Sequence, residues 1–262
     1  MTFQIDPTLR DQWRREGDRW YATLPEGWSQ GRSVFGGLTT AMAVALGHTE
    51  AQGRALRTLS THLVRPTAPG EVEGRVALIR SGRNVSFVEV TLLQGGKETS
   101  RATLVFAEQN PRALKIVADS PKPEALAEDL PTLPRTSGRI PEFVQHVEMR
   151  WVTGQHPFTG STQSDFTGYC RFNAPAGGPE GLIALLDVWP APPLAMLSGP
   201  APASTVSWTA HLLKVPEVIS GWCFYTYRTV AGGGGYHTCA GHLYDAEGAL
   251  LAYSEQLVAI YG

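Results

Sequence analysis

In SVFGGLTTAMAVALGHT, residues 33–49, the residues Leu38, Ala41, Met42, Ala45, Leu46 and Thr49 recur at i, i+3, i+4, i+7, i+8 and i+11. That is the period of an α-helix. The opposite face, Thr40, Ala43, Val44 and Gly47, is also small or apolar. A helix without a polar face belongs inside a core. Its start is unusual, because Gly36 and Gly37 stand where a Ser or Asp cap would hold the end more firmly.

Downstream lie four segments rich in β-formers, at 56–64, 71–79, 84–94 and 99–107, separated by the turn signals RPTAPG, SGR and GGK. They predict an antiparallel meander. DRWYATLPEGW, ahead of the helix, supplies a first strand. Pro and charge are dense across residues 116–142, the composition of a linker. Beyond it the pattern returns, with a strand over 146–155, a helix over 178–189 and strands over 204–213, 221–230, 236–245 and 249–261.

HLVRP at 62–66 echoes HLLKVP at 211–216, and the turn LLQGGK at 92–97 echoes LYDAEG at 243–248, at offsets of 149 and 151 residues. Two echoes in one register indicate an internal duplication. The expected organisation is one repeat over residues 1–115, a Pro-rich linker over 116–142 and a second repeat over 143–262. The expected class is α+β, with each repeat wrapping one long buried helix in an antiparallel sheet.

Twenty-two basic and 24 acidic residues give a formal charge of −2, which offers nothing to a nucleic acid. Cys170, Cys223 and Cys239 lack metal-ligand spacing and are an odd number, against a disulfide framework or structural zinc. Neither a secretory signal nor a membrane-spanning run is visible, and a cytoplasmic protein is expected.

The stretches VFGGLTTA, LVRPTAPGEVE, RSGRNVSFVEV, LLDVWPAPPL, STVSWTAHL and DAEGALLAYSEQLVAIYG, in that order, resemble the tandem, or double, hotdog type II acyl-CoA thioesterases and their thioesterase-like relatives. The resemblance covers residues 18–108 and 145–262. It implies hydrolysis of an acyl-CoA thioester in fatty acid metabolism, with neither metal nor organic cofactor. Asp187 matches the family's catalytic aspartate, and Thr205 and Gln256 match two further active-site positions. From the residues alone, Asp187 is the only charged side chain between Glu180 and Lys214. It reads equally as a buried carboxylate or as a helix end bonded to local backbone.

The mechanism implied has Asp187 as general base, with Thr205 and Gln256 orienting a water. The Gly37 backbone N–H, and with it Gly36, would face the developing oxyanion, because a helix N-terminus offers unpaired donors. Neither glycine has a side chain to obstruct an acyl group. The offsets place Asp187 opposite Leu38 and Gln256 opposite Val105, predicting one active site per chain. Strict alternation puts Thr205, Ser207, Thr209 and His211 on one face. Where the family commonly carries an Asp-His pair, this chain has Ser207 and Trp208.

Arg80, Arg83 and Arg65 are candidates for the phosphates of CoA, or equally solvated turn arginines. Three other readings compete. Gly27-Trp28-Ser29-Gln30-Gly31 has the form of a hydrolase nucleophile elbow, but only 26 residues precede it, too few for the strands that fold needs. A hydratase would want a His five residues after Asp187, where Pro192 stands. A non-catalytic acyl-CoA or lipid-binding protein could use the same fold. Two repeats in one chain imitate a dimer, which leaves further homo-oligomerisation open.

Overall fold

The computed structural model describes residues 4–261 except 111, 113, 115, 122, 124 and 132–139. Its first half runs β1 (Arg14–Glu16), β2 (Arg19–Leu24), β3 (Ser29–Gln30), β4 (Ser33–Val34), α1 (Gly36–Gly47), β5 (Ala55–Leu63), β6 (Gly70–Ser81), β7 (Val85–Gln94) and β8 (Lys97–Ala107). The second runs β9 (Val147–Thr153), β10 (Phe166–Phe172), α2 (Gly178–Leu186), β11 (Ala203–Leu212), β12 (Cys223–Gly233), β13 (Tyr236–Tyr244) and β14 (Leu250–Ile260). Twelve of these strands form one antiparallel sheet ordered β1-β2-β6-β7-β8-β5-β11-β14-β13-β12-β10-β9. The α+β class expected from the pattern is the class observed. G-x-S-x-G falls on the small β3–β4 hairpin, in a chain whose sheet pairings are antiparallel.

The sheet order reads the same from either end once each strand is replaced by its counterpart in the other half. The centre is the β5–β11 seam, where Ser60 pairs with Thr209, its own equivalent 149 residues on. Thr209 Oγ1 donates to Ser60 Oγ across that point at 3.4 Å. A β-bulge lies between Leu56 and Thr58 in β5, and another between Thr205 and Ser207 in β11, again 149 residues apart. The duplication thus extends to a backbone irregularity.

One sheet face wraps the helices. Every residue of α1 from Gly37 to Gly47 is buried, as a helix lacking a polar stripe requires. The ends of the two helices meet in an antiparallel sense. At Gly37 an added Cβ would lie 2.9 Å from the Ala184 carbonyl oxygen of α2 and 2.4 Å from the Phe35 ring. The first glycine pair of the chain is therefore a packing requirement, since no larger residue lets α2 approach.

Two predicted elements change. The helix expected over 178–189 stops at Leu186, because Asp187 turns to φ −107°, ψ 3° and Pro190 has no N–H to continue the ladder. Strand β10 was not legible, since Gly168 and Arg171 interrupt its apolar alternation. It forms because Trp189 packs where a Gly168 side chain would be, 2.5 Å from the Cβ position. Part of the expected linker, residues 122, 124 and 132–139, lies outside the described residues. Of the rest, Ala127 is buried, and its carbonyl accepts from the Arg150 guanidinium.

Trp208, a fully buried side chain of β11, fills the core next to the seam. Trp208→Ala is expected to lower the unfolding free energy by about 3–5 kcal/mol in urea denaturation.

Candidate active site

The carboxylate of Asp187 sits where the C-terminus of α2 meets the N-terminus of α1. Gln256 Nε2 on β14 donates to Asp187 Oδ1 at 2.7 Å, and Thr205 Oγ1 on β11 donates to Gln256 Oε1 at 3.0 Å. The Gly37 backbone N–H faces the Asp187 carboxylate and favours its charged form. Asp187 Oδ2 lies 3.0 Å from where a Gly36 side chain would begin, with Leu63 Cδ1 at 3.2 Å. The structure thus joins Asp187, Gln256, Thr205, Gly36 and Gly37, which are spread over 221 positions of the sequence.

The bulge in β11 makes this possible. Thr205 pairs with Val258, but Ser207 pairs with Leu257 and Trp208 with Gln256. One extra residue moves Thr205 to the Gln256 face, while Ser207, Thr209 and His211 fall on the other. The single polar face expected from strict alternation is therefore corrected. Without the bulge, Thr205 would share the face of His211 and could not reach Gln256.

The Gly37 amide, expected to face an oxyanion, has a neighbour in this structure. It faces the carboxylate of Asp187, in the manner of an anion at a helix N-terminus. Gly36 N–H, one position earlier, has no partner among the described residues. The place of a side chain is taken at Gly36 by the Asp187 carboxylate and Leu63, and at Gly37 by the Phe35 ring and the Ala184 carbonyl, so the small size of both serves packing.

The duplication is asymmetric at the site. Trp208 pairs with Gln256, and its counterpart Leu59 pairs with Leu104, so the first-half equivalent of Gln256 is Leu104 rather than Val105. The equivalent of Thr205 is Leu56. Aligning the helices by their Gly-Gly starts at 36–37 and 177–178 sets Asp187 against Leu46, correcting Leu38. The single offset fails there because the α2–β11 connection is longer than that between α1 and β5. At the opposite ends of the helices, Glu180 is fully buried and held by Arg10 Nε at 2.8 Å, with His48 Nδ1 at 3.3 Å. The 170 residues between Arg10 and Glu180 in sequence gave no hint of this tie.

The three arginines are not brought together. Arg65 is exposed just past the end of β5 nearest Gly36, and donates to the Glu98 carbonyl at 2.7 Å. Arg80 and Arg83 are exposed at the β6–β7 hairpin, where Arg54 holds the carbonyls of Gly82 and Arg83 at 2.8 Å each. That is the opposite end of β5, roughly 25 Å away at the rise of a strand. Arg80 and Arg83 are thereby removed from the vicinity of Asp187. Among the described residues no cluster of His, Cys, Asp or Glu could hold a metal ion, and no helix is long and apolar enough to cross a membrane.

Residues 24–107 match the model of the acyl-CoA thioesterase N-terminal domain, and residues 123–260 match that of the acyl-CoA thioesterase C-terminal domain. No curated protein matches the chain in sequence. In structure, a conserved protein with a hotdog fold from Alicyclobacillus acidocaldarius is similar at TM-score 0.85 and 19% identity, over 98% of each chain. A protein assigned as a thioesterase II, from Thermobifida fusca, is similar at TM-score 0.85 and 22% identity over 100% of each chain. An acyl-CoA thioesterase II from Mycobacterium marinum is similar at TM-score 0.73 and 15% identity, over 97% of this chain and 98% of that one. The shared fold is the double hotdog.

Asp187 keeps some accessible surface, yet the protein crowds its carboxyl enough that burial raises the pKa from 3.8 to about 7, against the lowering effects of Gln256 and the Gly37 amide. Below the ordinary value the carboxyl is neutral in both folded and unfolded chains, and its contribution to stability is fully present. As pH rises toward 7 the unfolded chain ionises first, so that contribution is lost. Asp187→Asn removes this dependence. Relative to the native chain, the variant is expected to gain stability between pH 5 and pH 8, on the order of 2–4 kcal/mol, in denaturation curves measured across that range.

Proposed function

This chain belongs to the acyl-CoA thioesterase family, and from that premise we propose that it hydrolyses an acyl-CoA thioester to the free acid and CoA by direct attack of water. The observation that carries the reading is the chain of hydrogen bonds from Thr205 through Gln256 to Asp187, delivered to the N-terminus of α1. Gln256 cannot accept a proton at its amide, so the base is Asp187. A pKa of about 7 makes it an effective base near neutral pH.

In this reading the water sits beside Asp187 Oδ2, and the thioester carbonyl lies over Gly36. Asp187 takes the proton as the water oxygen bonds to the carbonyl carbon. The carbonyl electron pair moves to oxygen, which the Gly36 N–H and the dipole of α1 stabilise. Collapse of the tetrahedral intermediate re-forms the carbonyl and breaks the C–S bond. The CoA thiolate leaves with the proton returned by Asp187. Gly37 holds the base, in place of the role of oxyanion donor. Arg65, at the Gly36 end of β5, is the candidate for a CoA phosphate that lies nearest Asp187.

We read the two repeats as residues 1–115 and 143–262 joined by residues 116–142, acting together as one site. Cys170, Cys223 and Cys239 are free and buried, which suits a reducing cytoplasm.

Asp187→Asn is expected to lower the release of CoA thiol by at least about 100-fold while leaving acyl-CoA binding within threefold. In the native chain kcat/KM should rise with pH to a plateau above about 7. Unchanged thiol release in the variant would overturn the assignment of the base. Binding without release by the native chain, across short, long and aromatic acyl-CoAs, would favour the acyl-binding reading instead.

A further inference from the structure

The carbonyl of Leu186, last residue of α2, cannot be satisfied by the helix itself. Its ladder partner would be the N–H four residues on, and that residue is Pro190. A phenol supplies the bond. Tyr225 on β12 is fully buried, and its Oη donates to the Leu186 carbonyl oxygen at 3.0 Å. This carbonyl belongs to the peptide that carries the Asp187 N–H, so the bond fixes the backbone from which the carboxylate projects.

Room for the phenol is built into the next strand. On β13, Gly241 pairs with Tyr227, and an added Cβ would lie 2.1 Å from Tyr225 Oη. A side chain there would displace the phenol. Burial also pushes the Tyr225 hydroxyl well above the ordinary tyrosine range, so it stays a donor at any working pH. The other ionisable groups that interact with it are Cys170, Asp187 and Cys239, and Tyr227 interacts with both Tyr225 and Asp187.

We propose that Tyr225, in the space left by Gly241, is a positioning residue that sets the direction of the Asp187 carboxylate by capping α2. This rests on Asp187 being the base. Tyr225 touches neither water nor substrate in this role; it acts through the Leu186–Asp187 peptide. Without it the end of α2 loosens, Asp187 swings from Gln256 and the Gly37 amide toward solvent, and its carboxyl returns toward ordinary acidity.

Tyr225→Phe keeps the ring and removes only the donor. It is expected to lower kcat about tenfold with KM within twofold, and to move the acidic limb of kcat/KM to lower pH. A lost hydrogen bond that merely weakened the fold would lower the unfolding midpoint and leave that limb in place. Gly241→Ala, which leaves the hydroxyl present but displaces it, is expected to shift the limb in the same direction. Native kcat and limb in folded Tyr225→Phe, alongside an inactive Asp187→Asn, would overturn the role of Tyr225 alone. An active Asp187→Asn would instead overturn the premise.

Discussion

At the crossing of the two buried helices, the N-terminus of α1 meets the C-terminus of α2 with no side chain at Gly37 to separate them from the Ala184 carbonyl. The approach creates both the packing and the proposed site. It brings unpaired backbone donors of one helix to a carboxylate at the end of the other, where complementary ends of two dipoles face each other. A Cβ at Gly37 would push α2 away and take Asp187 with it. The sheet then supplies Gln256 on β14, which holds the carboxylate, and Thr205 on β11, which holds Gln256.

The pseudo-twofold centred on Ser60 and Thr209 generates this helix-end meeting twice. The two ends have diverged. At one, Asp187, Gln256 and Thr205 form a hydrogen-bonded chain. At the other, Leu104 and Leu56 replace the amide and the hydroxyl, and Glu180 is bound to Arg10. Asp187 has no cationic partner of this kind among the described residues, and burial raises its pKa to about 7. The same geometry therefore holds an ion pair at one end and the proposed base at the other. A buried carboxylate costs stability at neutral pH, and the apolar core contributed by both helices and the sheet's inner face offsets that cost.

The relation between pattern and position shows most clearly in β11. Period-2 alternation assigned Thr205 to the face of His211, and a bulge of one residue reversed it. Bulges leave no compositional mark at Val206, so alternation could not reveal this one, although its duplicate in β5 stands at the same place. The placement of Arg80 and Arg83 was hidden for a related reason. Their residue type suits phosphate, but a strand of nine residues separates their hairpin from Asp187. Tyr225 was invisible because its function depends on an orphan carbonyl, and that carbonyl is orphaned by a proline four positions on in another element.

By itself, the sequence determined the two enclosed helices, the antiparallel strands around them and the duplication, because periodicity and turn chemistry are local properties, while Asp187, Thr205 and Gln256 were singled out by the resemblance to the thioesterase family. Tertiary structure alone decided which backbone amide meets the carboxylate, which face Thr205 occupies, which arginine lies near the site and how far the Asp187 pKa rises. Each of these depends on distances between elements remote in the chain, and on the shielding from water that only their packing creates.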